Sequence, residues 1–401
     1  MVCSVIRTGT VLPATLDQAL HRCIALASRF GAIRLRRPDS PDVREFLLDL
    51  DDTFGSRLRW TLKKVASGTE LSISRPPGIA RLTNLARRGS VTDRQLDRRL
   101  RLLPHLASLK IVVIGGGTGL YTTLLGLRDR SWDLTAIISG LKRGVLRHDP
   151  KDQLGLLPQD DASLCLVALA PTAEENVVLR GMLSHRMESR EWRGAHFGTE
   201  LLRALEEISG GRRAALDAAV ELLGVRGRIL VALDAHGPDG LGGNALAAVS
   251  QADLIVIAPG HLEFDLIPVL CCPGMIGALR DSHALKVVVT KIMTAEGSAE
   301  APLASQQVSP LASLIGGRFD AVVANAGPLS RHQLHTYAAA GSFPIQPDVQ
   351  ETLRYARRVM TEQLAAAGDL ARHDPELLGQ CLVEMGAEHL LEAGEALLAG
   401  A

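Results

Sequence analysis

From about residue 110 onward, short uninterrupted apolar runs alternate with stretches whose apolar residues recur at helical spacing. Ile111-Val112-Val113-Ile114 has the make-up of a strand buried on both faces of a parallel sheet. Helical periodicity follows over residues 120–127, and Leu134-Thr135-Ala136-Ile137-Ile138 reads as a second strand. Strand, glycine-rich loop, helix and strand make one βαβ unit. Further strands are predicted at residues 252–257, 285–290 and 319–325, the first of them ending at Ala258-Pro259-Gly260. This alternation predicts an α/β fold for residues 109–401, a Rossmann-like doubly wound and mostly parallel sheet. A helical region is inserted at about residues 162–223, with apolar helical runs at 201–208 and 214–223. The tail, about residues 350–401, reads as Ala- and Leu-rich helices.

Residues 1–108 have a different pattern. Leu16, Leu20, Cys23, Ile24, Ala27 and Phe30 share one helical face, with Thr15 or Asp17 as a cap. A second helical stretch is predicted at about 42–65, Arg75-Pro76-Pro77-Gly78 breaks the chain, and a basic helical patch at 94–103 ends at Pro104. The expectation is a separate, basic, mainly helical N-terminal segment. It holds 19 Lys and Arg against 10 Asp and Glu, whereas the remaining residues hold 25 against 34. The two halves thus carry opposite charge within a chain of zero net charge. Because the basic residues are dispersed among apolar ones, docking on the acidic part is expected rather than nucleic-acid binding. Aromatic residues, at 3% of the chain, are also too few for a base-stacking platform.

The composition is otherwise that of a globular protein, 46% hydrophobic and 22% charged. Six cysteines include no C-x-x-C pair, so neither zinc nor a redox motif is indicated. No membrane span and no apolar leader are predicted, which points to the cytoplasm.

The strongest site signal is Gly115-Gly116-Gly117-Thr118-Gly119, between a strand and a helix. Glycines there allow close backbone approach, and a helix N-terminus offers free N–H groups to phosphate. The alternative is a tight turn with no ligand. The dinucleotide fingerprint is incomplete. Leu120 stands where its third glycine belongs, and Ile138-Ser139-Gly140 provides no carboxylate for a ribose. No G-x-x-x-x-G-K-[ST] is present. His261, Glu263 and Asp265 lack a second ligand cluster and make a weak metal site.

Lys110 to Leu120, with its Gly-Gly-Gly-Thr-Gly core, resembles the opening of the CofD/YvcK family. The resemblance continues through residues 134–138, Leu156-Leu157-Pro158-Gln159-Asp160-Asp161, Cys165-Leu166, Ala252-Asp253, Pro259-Gly260, Ile292-Met293-Thr294, Gly297 and 320–325. It ends at Arg372-His373-Asp374-Pro375-Glu376. It implies a Rossmann-like core with an added helical region. CofD members transfer a phospholactyl-type group from a nucleotide-activated donor to a deazaflavin alcohol with a divalent metal. YvcK-like members bind nucleotide sugars and regulate carbon metabolism and envelope synthesis. The implied site residues are Gly115, Gly116, Gly117, Thr118, Gly119, Pro259, Gly260 and Thr294, and a homodimer is compatible with the resemblance.

The departures shape the expectation. Where the family carries Asp-Asp-Gly-Gly-Ser-Ser-Gly, residues 139–147 read Ser-Gly-Leu-Lys-Arg-Gly-Val-Leu-Arg. Lys142 and Arg143 would repel a hard cation but could neutralise phosphate, or form only a solvated basic loop. Asp161 keeps an acidic position and is the candidate catalytic residue, with helix capping as its competing role. The family's Gly-His-Ser-x-Gly-Asn becomes Gly194-Ala195-His196-Phe197-Gly198-Thr199. Its Gly-Pro-Gly-Ser-Leu-Tyr-Thr-Ser becomes residues 258–265, and its Asn before Met-Thr is Lys291. A binder of a nucleotide or nucleotide sugar with reduced or no catalysis is therefore expected. The alternative is a CofD-like transferase, for which Asp160, Asp161 and Asp265 would have to supply the ligands of Mg2+.

Overall fold

The computed structural model describes residues 109–399, apart from 132, 140–150, 153–154, 159, 171–172, 189–193, 233–242 and 297–301, and three strands between residues 32 and 74. The chain divides into two compact units, Met1–Leu106 and Ala107–Ala401.

In the first unit, β1 (Ala32–Arg37), β2 (Arg59–Val65) and β3 (Gly68–Ser74) form an antiparallel sheet in the order β1-β3-β2. The helix expected at about 42–65 is corrected over its last seven residues, which are β2. Trp60 and Leu62 alternate with Thr61 and Lys63, a period of two, and Leu71 and Ile73 alternate with Ser72 and Ser74 in its partner. The other helices expected in this unit lie outside the described residues.

The second unit is built on β4 (Lys110–Ile114), β5 (Asp133–Ile138), β8 (Arg228–Val231), β9 (Leu254–Ile257), β10 (Leu285–Val289), β11 (Phe319–Asn325) and β12 (Ala356–Glu362). Two short strands, β6 (Lys151–Asp152) and β7 (Gly155–Leu156), pair separately. The seven form one sheet, parallel at every pairing, in the order β12-β11-β10-β9-β4-β5-β8. The four residues Ile111 to Ile114 are at most 2% exposed, as a strand covered on both faces requires. The chain leaves β4 towards β5 and β8, then returns to β9 on the other side of β4 and proceeds outward. The order therefore reverses between β4 and β9, which places a crevice at their carboxyl ends.

Helices cover both faces. α1 (Gly117–Leu127) packs on the long C-terminal helix, Pro375–Ala399. Gly126 and Gly379 let the two backbones touch, since a Cβ on either would strike the other helix's backbone. The inserted helices are α2 (Asp161–Ala168), α3 (Ala173–Leu183), α4 (Phe197–Ser209) and α5 (Arg212–Leu222). On the opposite face, Val112, Ile114, Ile255, Ile257, Val288 and Val322 share a core with α6 (Gly243–Gln251), α7 (Ile267–Leu270), α8 (Met275–Asp281) and α9 (Ala304–Ile315). Two shorter helices follow, α10 (Arg331–Ala339) and α11 (Val349–Thr352), so the C-terminal helix is α12.

The helical tail expected from about residue 350 is corrected in part. Residues 356–362 are the edge strand β12, and helix resumes at Pro375. Arg357, Arg358 and Glu362 face solvent there, so β12 lacks the apolar run that marks the inner strands. Among the described residues no single helix is long and apolar enough to cross a membrane.

Candidate functional site

The glycine loop opens at the switch between β4 and β9. Ala258 N–H donates to the Ile114 carbonyl at 2.9 Å, and Gly115 N–H to that of Ile137 at 3.2 Å, so the ends of β4, β5 and β9 are tied together. Gly116 is the extended N-cap of α1 and supplies no side chain to its free amides. Gly117 has φ +63°, the left-handed region that a side chain disfavours. Gly119 has another constraint: a Cβ there would collide with the carbonyl of Pro259. The structure thus brings the residues of 115–119 together with Pro259 and Gly260, which sequence order separates by about 140 positions.

Two side chains brace this loop. Asp161, 8% exposed, accepts the Gly117 N–H at 2.8 Å. Capping of α2 belongs instead to Asp160, whose carboxylate accepts the Ser163 N–H at 2.7 Å. The first carboxylate of the pair holds its own helix and the second holds the glycine loop. Asp160 also accepts the Thr199 hydroxyl at 3.4 Å, at the start of α4.

The second brace is Arg372, whose guanidinium donates to the Thr118 hydroxyl. The Arg372 carbonyl accepts the Ala366 N–H at 2.8 Å, and its own N–H reaches Leu370. Asp374 then caps α12 by accepting the amides of Glu376 and Leu377 at 2.8 and 3.1 Å. Sequence reasoning marked Arg372 as part of a family-like stretch and not as a site residue. Its place two residues before Asp374-Pro375 was the signal the sequence offered. Beside it, burial pushes the His373 imidazole down to about 4, and the Arg372 charge adds to the shift.

The remaining candidates are placed as follows. Asp265, 3% exposed, accepts the His261 N–H at 2.9 Å and closes the turn after β9. A Cβ on Gly260 would press on that carboxyl group. Thr294 sits in the loop after β10, where its hydroxyl accepts the Phe343 N–H at 2.9 Å and its carbonyl accepts the Ser342 hydroxyl at 2.7 Å. It is engaged with the 342–345 turn rather than with the glycine loop. Lys142 and Arg143 lie outside the described residues.

Chemically, the loop presents helix N-terminal amides, one hydroxyl and one guanidinium, all donors suited to phosphate oxygens. The donor set for a divalent cation is poor. Asp161 and Asp265 each hold a backbone amide on a different loop, and no group of three His, Cys, Asp or Glu among the described residues could hold a metal.

The model of the family described as 2-phospho-L-lactate transferase CofD matches residues 111–237 and 238–365. A protein from Nostoc sp. is 30% identical, over 70% of this chain and 70% of its own. The Bacillus subtilis protein named gluconeogenesis factor is 25% identical over 69% of this chain and 98% of its own. A crystal structure of a Bacillus halodurans protein superposes with a TM-score of 0.60 at 24% identity, covering 69% of this chain and 99% of that one, and is similar in fold.

Proposed function

The chain belongs to the 2-phospho-L-lactate transferase CofD family, and from that premise we propose that it binds the phosphates of a nucleotide or nucleotide sugar at Gly115-Gly116-Gly117-Thr118-Gly119 and acts as a regulator with little or no group transfer. The observation that carries this reading is the doubly braced glycine loop at the switch point, with Asp161 on Gly117 and Arg372 on Thr118. Asp161 takes the Gly117 N–H, and an anion entering the loop would meet the next two amides of the first turn, those of Thr118 and Gly119. Arg372 supplies fixed positive charge, and Pro259 forms the facing wall.

Turnover asks for more than binding. Charge that develops during transfer of a phosphorus-linked group needs a clamp stronger in the transition state than in the ground state. In the family that clamp is a divalent metal. Here Asp161 and Asp265 are committed to backbone amides, so the described residues do not fit such an ion. The name gluconeogenesis factor, carried by the Bacillus subtilis relative, supports a role in the control of carbon metabolism. The second reading, a transferase moving a phospholactyl-type group, draws on the family description alone.

A thermal-shift panel of UDP, UDP-glucose, GDP and GDP-mannose, with and without magnesium, tests the proposal. Stabilisation without metal is expected. Stabilisation only with magnesium would favour the transferase reading, and no stabilisation by any of the four would remove the nucleotide reading.

A further inference from the structure

Resting on the nucleotide reading, we infer that Phe264 is the platform on which the base of the nucleotide stacks, so that the turn after β9 takes the heteroaromatic end of a ligand whose phosphates enter the glycine loop.

Aromatic residues are scarce in this chain, 3% of it. Phe264 is nevertheless 65% exposed, although a ring of that size gains from burial. Its support is rigid. Leu262–Leu266 form a single π turn, a rare arrangement found often at functional sites. The Leu266 N–H closes that turn on the His261 carbonyl at 3.2 Å, and the Asp265 carboxylate holds the His261 N–H. The His261 and Phe264 rings meet edge to face, with centroids 6.2 Å apart and planes at 63°. That contact orients the Phe264 ring and leaves most of it open to a further partner.

The turn lies against the glycine loop. A Cβ at Gly115 would meet Ala258 at 3.0 Å and Leu266 at 3.7 Å, and one at Gly119 would strike Pro259. The segment carrying Phe264 is thus fastened to the loop on both sides, by Ala258 and Pro259 before it and by Leu266 after it. β9 is the strand next to β4, about 4.8 Å away. In a nucleotide one ribose separates the base from the first phosphate, a step of comparable length. Phe343, 52% exposed, belongs to the turn held by Thr294 beyond β10, one strand farther from the loop, and serves as the comparison.

The chemistry of the turn selects a neutral, flat group. Glu263 is exposed next to Phe264, so its carboxylate repels a phosphate that approaches here. An exposed aromatic face suits a base, since every base offers a π face to stack.

The test is calorimetry on the full chain with UDP, GDP and inorganic pyrophosphate. In Phe264→Ala the affinity for both nucleotides is expected to fall tenfold or more, about 1.4 kcal/mol, while that for pyrophosphate changes less than twofold. Phe343→Ala should leave all three within twofold. Phe264→Trp should keep nucleotide binding, and its added fluorescence, read against the unsubstituted chain, should be quenched by nucleotide and not by pyrophosphate. Nucleotide affinity within twofold of the original in Phe264→Ala would overturn the inference and leave the glycine-loop reading standing. Equal losses for nucleotides and pyrophosphate would make Phe264 a support of the loop and would also overturn it. Absence of binding by UDP, GDP and pyrophosphate alike would remove both readings together.

Discussion

The loops after β4 and β9 enter the same crevice and are built in opposite ways. After β4 the N-cap Gly116 supplies no side chain, and the acidic group that takes the Gly117 amide, Asp161, comes from another helix. After β9 the chain closes on itself, with Asp265 taking the His261 amide from within its own turn. The first loop keeps donors available to a ligand and imports its support. The second uses a local carboxylate and becomes a wall, with Pro259 filling the space that Gly119 leaves open. A sheet with a single reversal of strand order can therefore offer an anion site on one side of the crevice and a structural stop on the other.

The largest effect is expected from bringing the two loops into collision. Gly119→Val places a branched side chain on the Pro259 carbonyl, so α1 has to move. A destabilisation of about 3 kcal/mol or more, at the upper end for overpacking, should appear in urea unfolding, together with loss of nucleotide stabilisation.

Next in size is a pH dependence from His373. Its folded value, about 4, lies below the unfolded value near 6.5 because burial disfavours the imidazolium. Between these values the unfolded chain binds the additional proton, so stability falls as pH drops from about 6.5 to 4 and is fully present above that window. The loss is on the order of 3 kcal/mol at the acid end. Unfolding curves of His373→Leu should show a flatter dependence across the same window. An unchanged slope would mean that other groups govern it.

The braces differ in a measurable way. Arg372→Met should weaken UDP or GDP binding about tenfold or more by calorimetry, the size of a charge-assisted hydrogen bond. The smallest effect is expected on the other loop, where Asp265→Asn keeps an acceptor for the His261 amide. Nucleotide affinity should change less than twofold, and stability by about 1 kcal/mol or less. A large affinity loss in Asp265→Asn would mean that both loops bind the anion and would erase the contrast between them.

The inner strands were legible because Ile111 to Ile114 and Leu254 to Ile257 are short, continuous and apolar, which leaves burial on both faces as the consistent reading. The edge strand β12 was not, since Arg357 and Arg358 interrupt any such run, and β8 was passed over although Ile229-Leu230-Val231 is a short apolar run behind Arg228. The glycine loop showed itself by composition and position. Its support did not. Asp161 and Asp160 are neighbours with the same side chain, and only the chain path decides which caps α2 and which reaches Gly117. Arg372 stands 254 positions from Thr118, a pairing that no local pattern encodes.

The most direct test of the phosphate assignment is a crystal structure of the full chain soaked with UDP or GDP. Phosphate oxygens are expected within hydrogen-bonding distance of the amides at Thr118 and Gly119, with the Arg372 guanidinium on the same group. A diphosphate seated instead on the turn after β9, or elsewhere on the molecule, would contradict it.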